Sequence, residues 1–223
     1  MALLGRNEAT LKETAALLSS PSSIHVADVT KQLTLDAAAA AIGSWHVLVL
    51  SSGYCPKPSA ISSSDAEEWR KGFEVNVHGT ARVAQAFLAT ADSASAAILG
   101  ITSDTSLLPP SFLPGLSAYV TTKLAQAKVY EFLAAENPNI FVATVHPGMI
   151  DTNNFRASGA TPDNLPMDTV ELPAHFLVWM ASPQAAFLRG RCAWANWDVE
   201  ELKALKAKYV EGLFMAAGFK GLP

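Results

Sequence analysis

The sequence predicts an α/β fold built on a mostly parallel sheet. Short apolar runs alternate with longer helix-like segments along the whole chain. Most of these runs are apolar throughout instead of alternating with polar residues, as expected for parallel strands covered by helices on both faces. Strand, helix and strand in repeated succession is the order that βαβ units require. A length of 223 residues favours one domain, residues 1–223.

The predicted strands and helices follow from these runs and from their end signals. The candidate strands are residues 2–4, 24–27, 47–50, 96–101, 140–145 and 192–195. The candidate helices are residues 8–18, 64–90, 117–136, 172–180 and 199–213. Ser64 and Glu67 have the spacing of a capping box, and Asn137-Pro138 predicts the end of the third helix. Residues 151–170 form the longest stretch without a pattern, and long loops in compact domains are often functional.

Composition and charge exclude several classes of protein. Half of the residues are hydrophobic and 16% are charged, which predicts a folded core and not a disordered chain. The net charge is −4, and no basic run is longer than Arg70-Lys71, so no nucleic-acid or anionic-membrane partner is expected. Cys55 and Cys192 are too few for a disulfide framework, which favours a reducing compartment and a cytoplasmic location.

Three further patterns are missing from the sequence. The longest apolar stretch, residues 37–50, is interrupted and shorter than the ~20 residues of a membrane span. The first ten residues lack the features of a signal peptide. The five histidines have no metal-ligand spacing, so no metal site is predicted.

Small, polar or charged residues follow each candidate strand. Ligands of open parallel sheets bind at the carboxyl ends of the strands, so these residues are expected to face one crevice. They are Gly5-Arg6-Asn7, Asp28-Val29-Thr30, Ser51-Ser52-Gly53, Thr102-Ser103-Asp104 and His146-Pro147-Gly148.

The third candidate helix carries Tyr119 and Lys123, four residues apart and therefore on one face. A nearby ammonium group favours the phenolate and lowers the pKa of a tyrosine from ~10. Such a pair can exchange a proton with an alcohol or a carbonyl. An isolated pair with this spacing is more often an ordinary surface pair without chemistry.

The pair is one of several motifs that occur together. The sequence contains, in order, Asp28-Val29, Asn76-Val77-His78-Gly79, a strand ending at Ser103, Tyr119-Val-Thr-Thr-Lys123 and Pro147-Gly148-x-x-x-Thr152. In this order the chain resembles the short-chain dehydrogenases/reductases over nearly its whole length. The resemblance implies a Rossmann-like, doubly wound parallel sheet and a reaction that moves a hydride between NADP(H) and a carbonyl or alcohol carbon.

The resemblance also implies roles for four catalytic residues. Tyr119 would be the general acid/base, and Lys123 would hold the nicotinamide ribose and lower the pKa of Tyr119. Ser103 would hydrogen-bond the substrate oxygen. Asn76 would anchor the water chain that relays the proton. A small-molecule substrate and a homodimer through the helices that carry Tyr119 and Asn76 are expected on the same grounds.

A second set of residues, together with Tyr119 and Lys123, would bind the cofactor. Asp28 would contact the adenine amino group with Val29 beside the ring, although Asp28 could also be an ordinary helix cap. Gly53 matches the glycine of the family's Asn-Ala-Gly element. The residues bordering the nicotinamide would be Pro147, Gly148, Ile150 and Thr152, although Pro147-Gly148 could be only a turn. Arg6 follows a strand that does not end in an acidic residue, which favours NADP over NAD.

The sequence departs from the family at its beginning. The Thr-Gly-x-x-x-Gly-x-Gly phosphate loop is absent, together with the strand before it and the helix after it, so we expect a sheet with its first βα unit missing. That strand lies at the centre of the family's sheet. Three alternatives are open: residues 2–4 pair directly with residues 47–50, another chain fills the gap, or the fold is marginal.

The identity of the active serine and two rival functions are also open. Ser103 follows directly on its strand and is preferred to Ser106, although Ser103 lies 16 positions before Tyr119. A non-catalytic product that cannot hold cofactor is the main alternative function. A serine hydrolase built on Ser103, His146 and an aspartate is the other, and its nucleophile elbow lacks the second glycine.

Overall fold

A computed structural model describes residues 1–218, apart from the side chains of Asp104, Ser106 and Asn164. Its strands form two parallel sheets. A two-stranded sheet pairs β1 (Ala2–Gly5) with β2 (Ser23–Val26). A four-stranded sheet has the order β3 (Val47–Leu50), β4 (Ala97–Ile101), β5 (Phe141–His146) and β6 (Cys192–Trp194). The predicted α/β fold with parallel strands is confirmed.

The helices lie between these strands in the chain. They are α1 (Glu8–Ala16), α2 (Gln32–Ile42), α3 (Ala66–Phe73), α4 (Gly79–Phe87), α5 (Ser117–Glu136), α6 (Asn153–Ala157), α7 (Glu171–Met180), α8 (Val199–Ala204) and α9 (Lys206–Glu211). One turn of π-helix, Glu74–His78, joins α3 to α4. Among the described residues, no helix has the length and hydropathy needed to cross a membrane.

The helices cover both faces of the four-stranded sheet, as a doubly wound fold requires. One core packs α2, α4 and α5 on the sheet and includes Leu35, Phe87 and Tyr130. The other core lies on the opposite face and includes Met180 of α7 and Leu202 of α8. The strands β4 and β5 lie between these cores and are buried on both faces, which explains why their sequences are continuously apolar.

Several predicted boundaries differ from the observed ones. The predicted helix over residues 64–90 is divided by the π-helical turn, and the one over residues 199–213 is divided at Leu205. The capping box at Ser64 is wrong, because Asp65 caps α3 by accepting a hydrogen bond from Glu67 N. The sequence analysis missed α2, whose run of alanines has no polar face to signal a helix.

The two sheets do not join. No ladder connects β1 to β3 among the described residues, so the alternative in which residues 2–4 pair directly with residues 47–50 is wrong. The β1–β2 unit is held instead by its helices, since α2 packs against α4 and Leu4 contacts the first core. The edge strand β3 leaves Val47 and Val49 at 47% and 44% exposure.

Candidate active site

The described catalytic candidates gather at the carboxyl end of the four-stranded sheet. Ser103 follows β4, while Tyr119 and Lys123 lie in the first two turns of α5. A hydrogen bond from Lys123 Nζ to the carbonyl oxygen of Ile101, at 3.1 Å, ties α5 to the end of β4. The ammonium nitrogen of Lys123 lies 5.9 Å from the centroid of the Tyr119 ring. This distance places a positive charge beside the phenol.

The protonation of the pair is governed by burial. Lys123 is only 4% exposed, and desolvation lowers its pKa from 10.5 to about 8. Burial raises the pKa of Tyr119 to about 12, the nearby Cys55 thiol adds to this rise, and a hydrogen bond with Ser103 opposes it. The expected lowering of the Tyr119 pKa is therefore wrong for this structure, because the cost of burying a phenolate is the largest influence on it.

Ser103 lies close enough to Tyr119 to influence the pKa of its phenol. The Ser103 hydroxyl donates a hydrogen bond to Thr105 Oγ1 at 3.3 Å. That bond does not involve His146, whose ring packs edge-on against Trp194 with centroids 4.8 Å apart. This arrangement gives the serine hydrolase hypothesis no support. The side chain of Ser106 lies outside the described part of the structure, so the choice between the two serines stays a prediction.

Asn76 braces the loop that follows β3. Its Oδ1 accepts from Tyr54 N, and its Nδ2 donates to the Tyr54 carbonyl and to Thr122 Oγ1, all at 2.8 Å. Both amide protons of Nδ2 are used by these bonds, and neither bond reaches Tyr119 or Lys123. The π-helical turn positions the amide, as such turns do at functional sites. No hydrogen bond of the Asn76 side chain among the described residues therefore supports its predicted role in a water relay, and that role stays a prediction.

Gly53 lies in the same cluster. A Cβ atom at this position would be 3.8 Å from each of three polar atoms, Lys123 Nζ, Asn76 Oδ1 and Asn154 Nδ2. These are ordinary contact distances, so the absence of a side chain leaves room for about one methyl group beside the amine. Asn154 lies in α6, within the long stretch that showed no pattern, and the sequence analysis did not identify it.

The segment after β5 is shaped by an acidic residue that the sequence analysis missed. Gly148 has φ +87°, and a Cβ there would clash with Asp168 Oδ2. Asp168 Oδ2 accepts from Met149 N at 3.0 Å, Asp168 N donates to Met149 O at 2.8 Å, and Asp168 Oδ1 accepts from Asn196 Nδ2 at 2.8 Å. Pro147-Gly148 is thus a turn that Asp168 holds through its hydrogen bonds to Met149.

Two other predicted nicotinamide neighbours lie further along this segment. Ile150 is half-buried, whereas Thr152 is exposed and caps α6 by accepting a hydrogen bond from Phe155 N at 3.1 Å. The Thr152 hydroxyl therefore already has a structural partner.

A second group lies at the carboxyl ends of β1 and β2. Asp28 Oδ1 accepts from the backbone and hydroxyl of Thr30, both at 2.9 Å. Burial alone would raise the pKa of Asp28, but these hydrogen bonds and the charges of Arg6 and Lys31 lower it overall. The helix-cap alternative for Asp28 is wrong, because Lys31 is the N-cap of α2.

Arg6 and Val29, the neighbours of Asp28, differ in exposure. Arg6 is exposed, which leaves its guanidinium accessible beside Asp28. Val29 contacts Gly79 so closely that a Cβ on the glycine would lie 2.9 Å from Val29 Cγ2. Val29, Leu50 and Ser52 line a small pocket where the two sheets face each other.

The buried lysine makes stability depend on pH. Because the folded-state pKa of Lys123 is about 8 and its ordinary value is 10.5, the unfolded chain binds more protons between these values. The contribution of Lys123 to stability therefore rises with pH through this window. We expect the unfolding free energy of the wild type minus that of Lys123→Met to rise by on the order of 1 kcal/mol per pH unit. Urea unfolding at several pH values measures this difference, and a difference that is flat with pH would contradict the burial of the amine.

The sheet and its covering helices define a Rossmann-like α/β protein with its candidate site at the ligand-binding end of the strands. A family model described as Enoyl-(Acyl carrier protein) reductase matches residues 1–193. Over 184 residues, the chain is 33% identical to the short chain dehydrogenase/reductase AacuD of Aspergillus aculeatus, with 82% of this chain and 63% of that protein covered. It is 31% identical over 230 residues to a short chain dehydrogenase/reductase of Claviceps purpurea, with coverages of 98% and 76%.

Solved structures share the fold. The chain is similar to a gluconate 5-dehydrogenase of Burkholderia cenocepacia in complex with NADP and tartrate, with a TM-score of 0.74 at 22% identity over 86% of this chain and 82% of that one. A short chain dehydrogenase of Salmonella enterica gives a TM-score of 0.77 at 20% identity over 88% and 85%. The chain belongs to the short-chain dehydrogenase/reductase family. It spans 63% of the length of AacuD.

Proposed function

We propose that the chain carries the active site of an NADP(H)-dependent oxidoreductase that interconverts a carbonyl and an alcohol. The observation that supports this most is the cluster of Tyr119 and the nearby Ser103, with the buried Lys123 amine 5.9 Å from the centroid of the phenol ring. A phenol, a hydroxyl and an ammonium group around one point can bind a carbonyl oxygen and exchange a proton with it.

In the proposed mechanism, Tyr119 acts as the acid in the direction of reduction. Its pKa of about 12 keeps the hydroxyl protonated at neutral pH. Ser103 donates a hydrogen bond to the substrate oxygen and orients it. The nicotinamide, when bound, supplies the hydride that reaches the carbonyl carbon. Tyr119 gives its proton to the oxygen as negative charge develops there, and the Lys123 ammonium stabilises the tyrosinate that remains until solvent returns the proton.

The proposed cofactor residues lie in two groups that suit the two ends of a dinucleotide. At one end, the exposed Arg6 beside Asp28 and Val29 offers a cation for a 2′-phosphate, which supports NADP over NAD. At the other end, Gly53 lies against Lys123 Nζ, with no side chain of its own between the backbone and the amine. Pro147, Gly148, Ile150 and Thr152 belong to the segment that follows β5 and complete this group.

We also propose that the protein is a homodimer of single-domain chains. A groove of about 710 Å³ runs between α4 and α5 and is lined by apolar residues that include Val77, Leu88 and Val129. Phe132 of α5 is 59% exposed at this groove, which supports an interface there. Sedimentation velocity would test the dimer, and a monomer at micromolar concentration would contradict it. The cytoplasmic location is part of the same proposal and rests on the two buried free cysteines.

Thermal unfolding with and without excess NADPH tests the proposed function. A ligand that binds only the folded state at ~100 times its Kd adds about 2.7 kcal/mol of stability. We expect one cooperative transition that moves to higher temperature with NADPH and moves less with NADH. Arg6→Ala is expected to bring the two shifts close together, because the variant lacks the cation proposed for the 2′-phosphate.

Each other outcome of this experiment has a defined meaning. A cooperative transition that NADPH does not move would overturn the proposal and favour the non-catalytic alternative. The absence of a cooperative transition would indicate that the break between the two sheets requires a further strand. Equal shifts by NADH and NADPH in the wild type would contradict the assignment of Arg6.

A further inference from the structure

A buried amide lies one helical turn beyond Lys123 and has no role in the site described so far. Gln126 is 1% exposed, and it lies in α5 three residues after Lys123. A polar side chain of this size is expensive to bury unless its hydrogen bonds are made. The hydrogen-bond partners of the Gln126 amide therefore indicate its role.

Gln126 links the amine to the helix that carries Asn76. Lys123 Nζ donates to Gln126 Oε1 at 2.9 Å, and Gln126 Nε2 donates to Thr80 Oγ1 at 2.9 Å. The Thr80 hydroxyl in turn donates to the carbonyl of Asn76 at 2.8 Å. Every donor in this series points the same way. Because an ammonium group can only donate and the Thr80 proton is already used, the orientation of the amide is fixed by its neighbours.

This bond also determines what remains free on the amine. The ammonium group has three protons, and the carbonyl of Ile101 and the amide of Gln126 accept two of them. Lys123 forms no ion pair with a described carboxylate, and Gln126 is the side chain that accepts from it. Among the described side chains, the titratable groups that face the amine are Tyr119 on α5 and Cys55 in the loop after β3. One proton is left for the space beside Gly53.

We propose that Gln126 is a positioning residue that holds the Lys123 amine in place and favours its charged form. The use of this charge in catalysis rests on the proposed function, whereas the hold on the amine is a property of the chain itself. The amide accepts a bond from the ammonium and is itself fixed through Thr80. Gln126 therefore stabilises the cation without adding a negative charge that would compete for it.

The titration of Lys123 distinguishes a positioning role of Gln126 from a role in packing alone. A residue that only fills space can be replaced by an apolar side chain of similar shape without a change in the pKa of the amine. If Gln126 instead accepts a hydrogen bond from the charged amine, the same replacement must change the pKa of Lys123. Gln126→Met is the near-isosteric apolar replacement, and Gln126→Glu keeps an acceptor oxygen and adds a charge.

The test is a titration of the full chain labelled with ¹³C at lysine Cε and followed by NMR, with the Lys123 signal assigned by its loss in Lys123→Met. We expect Gln126→Met to lower the pKa of Lys123 by roughly one unit, as loss of a hydrogen bond to a charged group should. Gln126→Glu is expected to raise it above the wild-type value. Thr144→Val, which removes a buried hydroxyl of β5 that has no described hydrogen bond with this series, is the matched control and should leave it unchanged.

The outcomes separate the proposal from the proposed function, since the titration needs no cofactor or substrate. An unchanged pKa of Lys123 in folded Gln126→Met would overturn the proposal. If that variant does not fold, an unchanged pKa in Gln126→Glu would overturn it equally. A shifted pKa in a chain whose stability does not respond to NADPH would support the role of Gln126 while refuting the proposed function.

Discussion

Replacing Tyr119 by phenylalanine is expected to lower kcat for carbonyl reduction by roughly 10²–10⁴-fold, the range that one general acid contributes. The change removes only the hydroxyl beside Ser103 and leaves the ring that faces Lys123. Binding of NADPH should change little, because the variant keeps the aromatic ring at position 119 and the Lys123 amine beside it. The measurement is NADPH oxidation in the presence of a panel of ketones and aldehydes, together with NADPH titration of both proteins.

The chain offers a matched control for this substitution. Tyr54 also has a raised pKa of about 12, because of burial and a hydrogen bond to Glu68, and its hydroxyl lies 2.7 Å from Glu68 Oε2. Tyr54→Phe should leave turnover within about threefold of the wild type, since this hydroxyl points to a different partner. A Tyr119→Phe variant that turns over as well as Tyr54→Phe would remove Tyr119 from the mechanism.

Replacing Gly100 by alanine is expected to lower the free energy of unfolding strongly, although it adds only one methyl group. Gly100 lies in the buried strand β4, directly beneath the ring of Tyr130. A Cβ there would lie 2.5 Å from Tyr130 Cε2 and 2.6 Å from its hydroxyl oxygen, much closer than carbon atoms pack. Tyr130 is fully buried between α5 and the sheet and cannot move aside freely. Overpacking of this kind costs about 1–3 kcal/mol or more.

Urea unfolding measures this cost. Gly218→Ala is the control, because a Cβ at Gly218 meets nothing within 4 Å. The double variant Gly100→Ala/Tyr130→Leu should lose less stability than the sum of its two single variants, because the smaller side chain makes room for the methyl group. A Gly100→Ala protein as stable as Gly218→Ala would show that β4 and α5 are not packed as described.

The sequence predicts those parts of the fold whose signals are local. The strand Val47–Leu50 is a continuous apolar run, and α5 spans Ser117–Glu136 as predicted because Asn137-Pro138 ends it. The helix α2 was missed because an alanine-rich run has no hydrophobic period to count. The cap of α3 was misassigned because Ser64 and Asp65 are adjacent and both can cap, and only the backbone decides between them.

The candidate site could be predicted only in part. Ser103 and Tyr119 lie near each other because Ser103 follows β4 and Tyr119 is in the first turn of α5, at the same end of the sheet. The partners of Asp168 and Gln126 are remote in sequence, and no local pattern connects Gln126 to Thr80 or Asp168 to Asn196. The direction of the Tyr119 pKa was wrong because spacing shows that an amine is near but not how deeply the phenol is buried.

Transfer of deuterium tests the central claim most directly. The chain is incubated with NADPH that carries deuterium at both C4 positions and with a panel of carbonyl compounds, and the alcohols formed are analysed by mass spectrometry. The proposed function predicts an alcohol with one deuterium on its carbinol carbon from the wild type, and roughly 10²–10⁴-fold slower incorporation of deuterium by Tyr119→Phe. NADPH that binds and stabilises the chain while no carbonyl in the panel gains deuterium would contradict hydride transfer at this site.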